Sequence, residues 1–134
     1  WILSCMAKVH AEYTAHAENH RADLAINTIH KFCNEELSAF YFDIRKDLLY
    51  CSNSLPDNKQ NPDRLSAVKC LDIIFNTLVR WLVPIAPFTT EEAWNHYLYN
   101  NNESIHELSI TDMNYDEPEL ELQYAAAKEV RSEL

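Results

Sequence analysis

Apolar residues in this chain return at steps of three and four, the period of a helix face. Ile2, Met6, Val9 and Tyr13 step by four, three and four, which predicts an amphipathic helix ending near Ala17. Asn19 is placed to break that helix and cap a second one from about Arg21, with Ala22, Ala25, Ile29, Phe32 and Cys33 on one face. Asn34 marks a kink. The stretch after it, LSAFYFDIRKDLLYC (37–51), sets Leu37, Phe40, Tyr41, Ile44, Leu48 and Cys51 along one face. Residues 21–51 fit either one bent element or two helices, and the kink favours two.

Residues 52–63, SNSLPDNKQNPD, are polar and turn-rich with two prolines, and predict a loop. Next comes the clearest seam of the chain, Val68, Leu71, Phe75, Leu78, Leu82 and Ile85, widened by Ile74, Val79 and Trp81. Pro84 and Pro87 end it, because proline removes a donor and clashes with the preceding turn. Thr89-Thr90-Glu91-Glu92 matches a capping box, with the Thr89 hydroxyl serving the Glu92 amide. A short helix with Ala93, Trp94, Tyr97 and Leu98 comes after it and closes at Asn100–Asn102. Ser104–Ile110 alternates imperfectly and reads as an extended segment or lone edge strand. Leu120, Tyr124, Ala127, Val130 and Leu134 predict a last helix from Glu119. Together these give an all-α fold, an antiparallel bundle of about five or six helices. We read 1–134 as a single domain, with 1–100 as core bundle and 101–134 as an acidic extended segment plus C-terminal helix. There is no internal repeat.

Composition sharpens this picture. The chain has no glycine, so P-loop and dinucleotide-binding fingerprints are excluded, and turns must be made by Asn, Pro and Ser. Net charge is −10 and unevenly placed: residues 1–100 hold 9 basic and 12 acidic side chains, residues 101–134 hold 2 and 9. A free-standing nucleic-acid binder usually has the opposite sign, so any RNA contact here requires a local basic patch. Cys5, Cys33, Cys51 and Cys70 are far apart among apolar neighbours, which predicts buried free thiols in a reducing compartment. No run of about 20 apolar residues is present to span a membrane. WILSCMAKVH lacks a basic n-region and an initiator methionine, so we expect no signal peptide and an excised or processed segment.

Candidate chemistry is sparse. His16 and His20 stand four apart, but zinc needs a further ligand, Ala17 occupies the position of a metalloprotease glutamate, and Asn19 interrupts the helix. Surface histidines are the better reading. Trp1, Trp81 and Trp94 read as core or interface anchors, and the acidic run Glu103–Glu121 as a solvated face. The charge block Asp43, Arg45, Lys46, Asp47 has two open fates. One is structural pairing with Arg21, Lys69 or Arg80; the other is contact with RNA, where Arg supplies planar contacts and Lys a point charge.

The same block carries a family resemblance. LSAFYFDIRKDLLYC (37–51) resembles the SSFYFDIRKDxLYC segment in the anticodon-binding domain of the bacterial-type isoleucyl-tRNA synthetases. His20-Arg21-Ala22 and NTIHKFC (27–33) are similar to the HRAVHALYNFC segment before it, and LVRWLVPIAPFTTEEAW (78–94) to the LVRxLAPILPFTAEEVW segment after it. Ser104-Ile105-His106 resembles ESVHL, and the initial WIL resembles the DRWIL that opens the domain. Matching is weaker in 52–66 and in the last 25 residues. The valyl and leucyl relatives share the bundle, but FYFDIRKD is the isoleucyl wording.

The resemblance implies the helical module of a class Ia aminoacyl-tRNA synthetase, a cytoplasmic ligase of protein biosynthesis. Such a module packs on the anticodon stem-loop of isoleucine-accepting tRNA and orients it for ATP-dependent aminoacylation by a catalytic domain of the same, monomeric parent. The HIGH and KMSKS motifs of that catalytic domain are not in this chain, so the segment itself is expected to be non-catalytic. It is expected to hold no cofactor, with ATP, magnesium and any zinc bound elsewhere in the parent. By motif position, Arg45, Lys46 and Arg80 would face phosphate or splayed bases, and Tyr41 or Trp81 would stack. The rival is a helical module that binds protein rather than RNA, with its charges paired internally.

Overall fold

The computed structural model describes residues 1–51, 61–97, 103–110 and 113–132. Its elements are α1 (Ile2–Glu18), α2 (Ala22–Lys31), a π-helical segment (Phe32–Tyr41), α3 (Phe42–Cys51), α4 (Pro62–Leu82), α5 (Pro87–Tyr97), a 3₁₀ turn (Ile105–Glu107) and α6 (Pro118–Ser132). The all-α class holds, with no strand among the described residues. Two compact units emerge: Trp1–Val68 with Met113–Leu134, and Lys69–Asp112. The acidic tail is therefore divided: the chain from Met113 onward belongs with the N-terminal helices, and the part before it with the second unit.

In the first unit, α1 ends where expected but by an unexpected residue. His20 takes the left-handed conformation, φ 56°, that glycine usually supplies. Its amide donates to the Ala17 carbonyl (3.0 Å) and that of Arg21 to the His16 carbonyl (2.9 Å), which satisfies two free carbonyls of the helix end. Asn19 contributes by donating Nδ2 to the Ala15 carbonyl. Arg21, rather than Asn19, is the residue at the start of α2.

The two helices expected between residues 21 and 51 are one continuous rod. Lys31, Phe32 and Phe42 all keep right-handed helical angles, and Asn34 sits inside the rod with Nδ2 3.1 Å from His30 Nε2. Wider π turns, closed by i→i+5 bonds, absorb the irregularity that reads as a kink. They also shift the faces. Leu37, Phe40 and Tyr41 are buried, but Ile44 and Cys51 of the expected stripe are exposed, and α3 has no buried residue.

The second unit is built on the end of α4. The buried residues of α4 are Ala67, Ile74 and Trp81 at steps of seven, and Val79 on another side. Val79 clusters with Trp94 and Ile105, and Phe75 and Val83 pack on them. The expected seam runs between these two faces, which is why Leu71, Phe75, Leu78 and Leu82 are only half-buried and Val68 and Ile85 exposed. Apolar period alone reports the middle of a helix that buries two sides.

Three local expectations are corrected. Pro62 and Pro87 do not lie in loops or end helices; each opens one, since the first helical position needs no N–H. The capping box fails because α5 starts at Pro87, leaving Thr90 within the first turn to donate to the Ala86 and Pro87 carbonyls, both 3.0 Å. Ser104–Ile110 is not a strand: its middle is the 3₁₀ turn, which the Ser104 hydroxyl caps by accepting from the His106 amide. The expected loop 52–60, the close at Asn100–Asn102, and Leu98 and Leu134 lie outside the described residues.

Candidate RNA-binding surface

The N-terminal unit brings α6 onto α1 and the π segment through polar contacts. Ser4 is buried on α1; its hydroxyl donates to Glu121 Oε1 and accepts from the Glu117 amide. Lys8 donates to the other Glu121 oxygen. Lys8 first, and then Ser4, hold the Glu121 carboxyl below its usual range. Further along, Tyr124 stacks on Trp1 at 4.6 Å, and Trp1 meets the edge of Phe40 at 5.4 Å. Lys128 and Arg131 lie over the Phe40 ring at 5.6 and 5.7 Å. The docked face of α6 is thus Glu121, Tyr124, Lys128 and Arg131, whereas Leu120, Ala127 and Val130 of the expected apolar face are exposed. Three of these four residues make ion pairs, so apolar periodicity misplaces the contact.

Both cations pair with carboxylates, and Arg131 reaches the charge block. Lys128 donates to Glu36 at 2.6 Å, and Arg131 donates to Asp43 Oδ2. Lys46 holds the other Asp43 oxygen at 2.8 Å. The carboxyl of Asp43 is depressed to about 2, by Lys46 first and Arg131 second. The partners expected for the block, Arg21, Lys69 and Arg80, are not the ones found: Arg21 grips Asp23 in a two-pronged pair, and α6 delivers Arg131 instead.

The residues singled out in the sequence have different fates. Lys46 is exposed and tied to Asp43. Arg45 is half-buried on α3, and its Nε is buried with no hydrogen bond among the described residues. Tyr41 and Trp81 are in the core, 4 % and 0 % exposed, so neither presents a ring to solvent. Arg80 belongs to the second unit, where its guanidinium lies 5.6 Å over the Trp94 ring and its Nε is likewise buried and unbonded among the described residues. Arg64, which no sequence pattern singles out, donates Nε to the Leu49 carbonyl at 3.2 Å and sets a cation at the C-terminal end of α3.

In the second unit a carboxylate ties the 3₁₀ turn to α5 beside the apolar cluster. Glu91 Oε2 accepts from the Ser104 hydroxyl (2.9 Å) and the Ile105 amide (3.0 Å). The Trp94 indole donates to the Glu103 carbonyl at 3.2 Å, and the Phe75 and Tyr97 rings pack at 4.3 Å.

Other candidates recede. His16 turns to Glu12 (3.6 Å) while His20 occupies the turn, and no metal-ligating group of three or more forms among the described residues. All four thiols are free; Cys5, Cys33 and Cys70 are half-buried, and Cys51 is exposed rather than buried. Burial pushes the Cys5 and Cys33 thiols up, away from reactive thiolate. A groove of about 410 Å³ between α1, α2 and the π segment carries both signs of charge, from Lys8 and Lys31 to Glu35 and Glu36. Among the described residues no helix is long and apolar enough to cross a membrane.

This arrangement, a helical module whose charged residues ring α3, has a clear family. A family model described as the anticodon-binding domain of tRNA ligase matches residues 1–134, and the chain belongs to that family. Among individual proteins, it is 40 % identical over 102 residues to the isoleucine–tRNA ligase of Bradyrhizobium diazoefficiens, covering 71 % of this chain and 10 % of that one. To the isoleucine–tRNA ligase of Gluconobacter oxydans it is 34 % identical over 122 residues, 90 % of this chain and 12 % of the relative. To that of Agrobacterium fabrum it is 49 % identical over 75 residues, 56 % and 7 % respectively. The chain spans about a tenth of the length of the curated relatives it matches.

Proposed function

We propose that this chain binds the anticodon arm of isoleucine-accepting tRNA and orients it for aminoacylation by other regions of a longer, monomeric, cytoplasmic parent. The observation that carries the reading is the family match over all 134 residues, joined to relatives that are isoleucine–tRNA ligases. ATP and magnesium, and any zinc, serve those other regions; this segment takes part in no chemical step and holds no cofactor. Arg45, Lys46 and Arg80 are the side chains we assign to RNA. Tyr41 and Trp81 act from the core, as the packing behind those cations.

The net charge of −10 fits a module that orients more than it attracts. Binding by the isolated chain is then weak and steeply salt-dependent, each phosphate contact to a single-stranded loop adding about −0.7 to the slope of log K against log salt. Titration with the isoleucine anticodon stem-loop at low salt, followed by amide and arginine side-chain NMR, tests it. Shifts gathered at Arg45, Lys46 and Arg80 are expected. Their absence would remove these assignments, and would favour the protein-binding alternative that the Lys46–Asp43 pair suggests.

A further inference from the structure

Tyr41 and Phe42 are adjacent in sequence and opposite in fate. The first is 4 % exposed and the second 42 %, although their rings touch at 6.0 Å. Where the π segment ends, the rod turns Phe42 outward, and two further i→i+4 steps along α3 place Lys46 and then Tyr50 on the same face. Lys46 is exposed, and Tyr50 is 80 % exposed. The result is an aromatic–cation–aromatic stripe about 12 Å long, from a rise of about 1.5 Å per residue.

The surroundings of the stripe are basic, in a protein that is not. The cations that α3 carries or contacts are Arg45, Lys46, Arg64 and Arg131, while its own carboxylates are Asp43 and Asp47. Asp43 is shared by two of those cations. This is the local positive patch that the overall charge of −10 makes necessary for any RNA contact. Exposed rings interleaved with cations are how proteins hold unpaired nucleotides: the rings take base faces, the cations take phosphates.

We infer that Phe42 and Tyr50 are stacking residues for unpaired bases of the bound RNA loop, with Lys46 on the phosphate between them. The inference rests on the tRNA-binding reading above and replaces the buried Tyr41 and Trp81 as sources of stacking. α3 has no buried residue, Tyr50 is 80 % exposed and Phe42 meets the core only at the Tyr41 ring, so replacement by leucine is expected to keep the fold.

The test uses the 134-residue chain and the isoleucine anticodon stem-loop carrying 2-aminopurine in the loop, whose emission drops when it stacks. Phe42→Leu and Tyr50→Leu should each weaken binding roughly 5- to 150-fold, the range for losing one base–aromatic contact. Tyr50→Phe should keep wild-type affinity and quenching, because stacking needs the ring and not the hydroxyl. Circular dichroism of the variants checks that the helices persist. If the wild-type chain binds and both leucine variants bind equally well with unchanged quenching, the stripe is not an RNA surface, and a protein contact becomes its use. If the wild-type chain itself does not bind the stem-loop, the function proposed above fails and this inference falls with it.

Discussion

The two compact units of this chain are closed by opposite kinds of contact. In the N-terminal unit, α6 is fastened by Lys8–Glu121, Lys128–Glu36 and Arg131–Asp43, with two cations laid over Phe40. In the Lys69–Asp112 unit, Val79, Trp94 and Ile105 form an apolar centre, and Glu91 ties the 3₁₀ turn to α5. Exposed ion pairs each contribute little and are screened by salt, whereas buried aromatic volume is neither small nor screened. The docking of α6 in the first unit should therefore respond to solution conditions, and the closure of the second unit to truncation.

The largest expected effect is in the second unit. Trp94 is 3 % exposed, donates its indole N–H to the Glu103 carbonyl and lies under Arg80. Trp94→Ala should cost about 3–5 kcal/mol in urea unfolding, as buried aromatic truncations do. A loss below about 1 kcal/mol would show that the apolar centre is not what closes this unit. Next in size is Glu91→Ala. It leaves the Ser104 hydroxyl and Ile105 amide without their shared acceptor, and should cost about 1–3 kcal/mol. Faster hydrogen exchange at the Ile105 amide is the local sign; unchanged exchange there would mean the carboxylate is not the fastener.

The same contrast explains how far each unit was legible in the sequence. That α1, α2, α4 and α6 are helices was readable from their apolar spacing, although the start of α5 and the continuity of residues 22–51 were not. The surfaces that pack on each helix were less so. The α4 seam pointed between its two buried faces, and the docked face of α6 is mostly ionic, which a search for leucine and valine cannot see. One signal was present: Lys128 and Arg131 are the two basic residues after position 100, and both make specific pairs. The π segment was illegible, since its wide turns keep the residue order and rotate every side chain beyond them. That rotation exposes Ile44 and Cys51 of the expected stripe and turns Phe42 outward, so the exposed aromatics lie on α3 while Tyr41 stays in the core.

The smallest effect expected is the acid release of α6, and it is also the one that separates the units most directly. Asp43 has a folded pKa of about 2, below the value near 3.9 of an unfolded aspartate. A depressed carboxyl of this kind contributes stability above the unfolded value and loses it as pH falls towards the folded one. Between about pH 4 and 2 its grip on Lys46 and Arg131 should therefore weaken. Chemical shifts of the Arg131 guanidinium should move through that window. Asp43→Asn should abolish the movement at Arg131 while leaving the acid response of Glu121, which has its own partners in Lys8 and Ser4. About 1 M salt, where the screening length is near 3 Å, should blunt the same step. If the Arg131 chemical shifts move identically in wild type and Asp43→Asn, then Phe40 and Tyr124 hold α6 without the ion pair, and the two units are closed by the same physics after all.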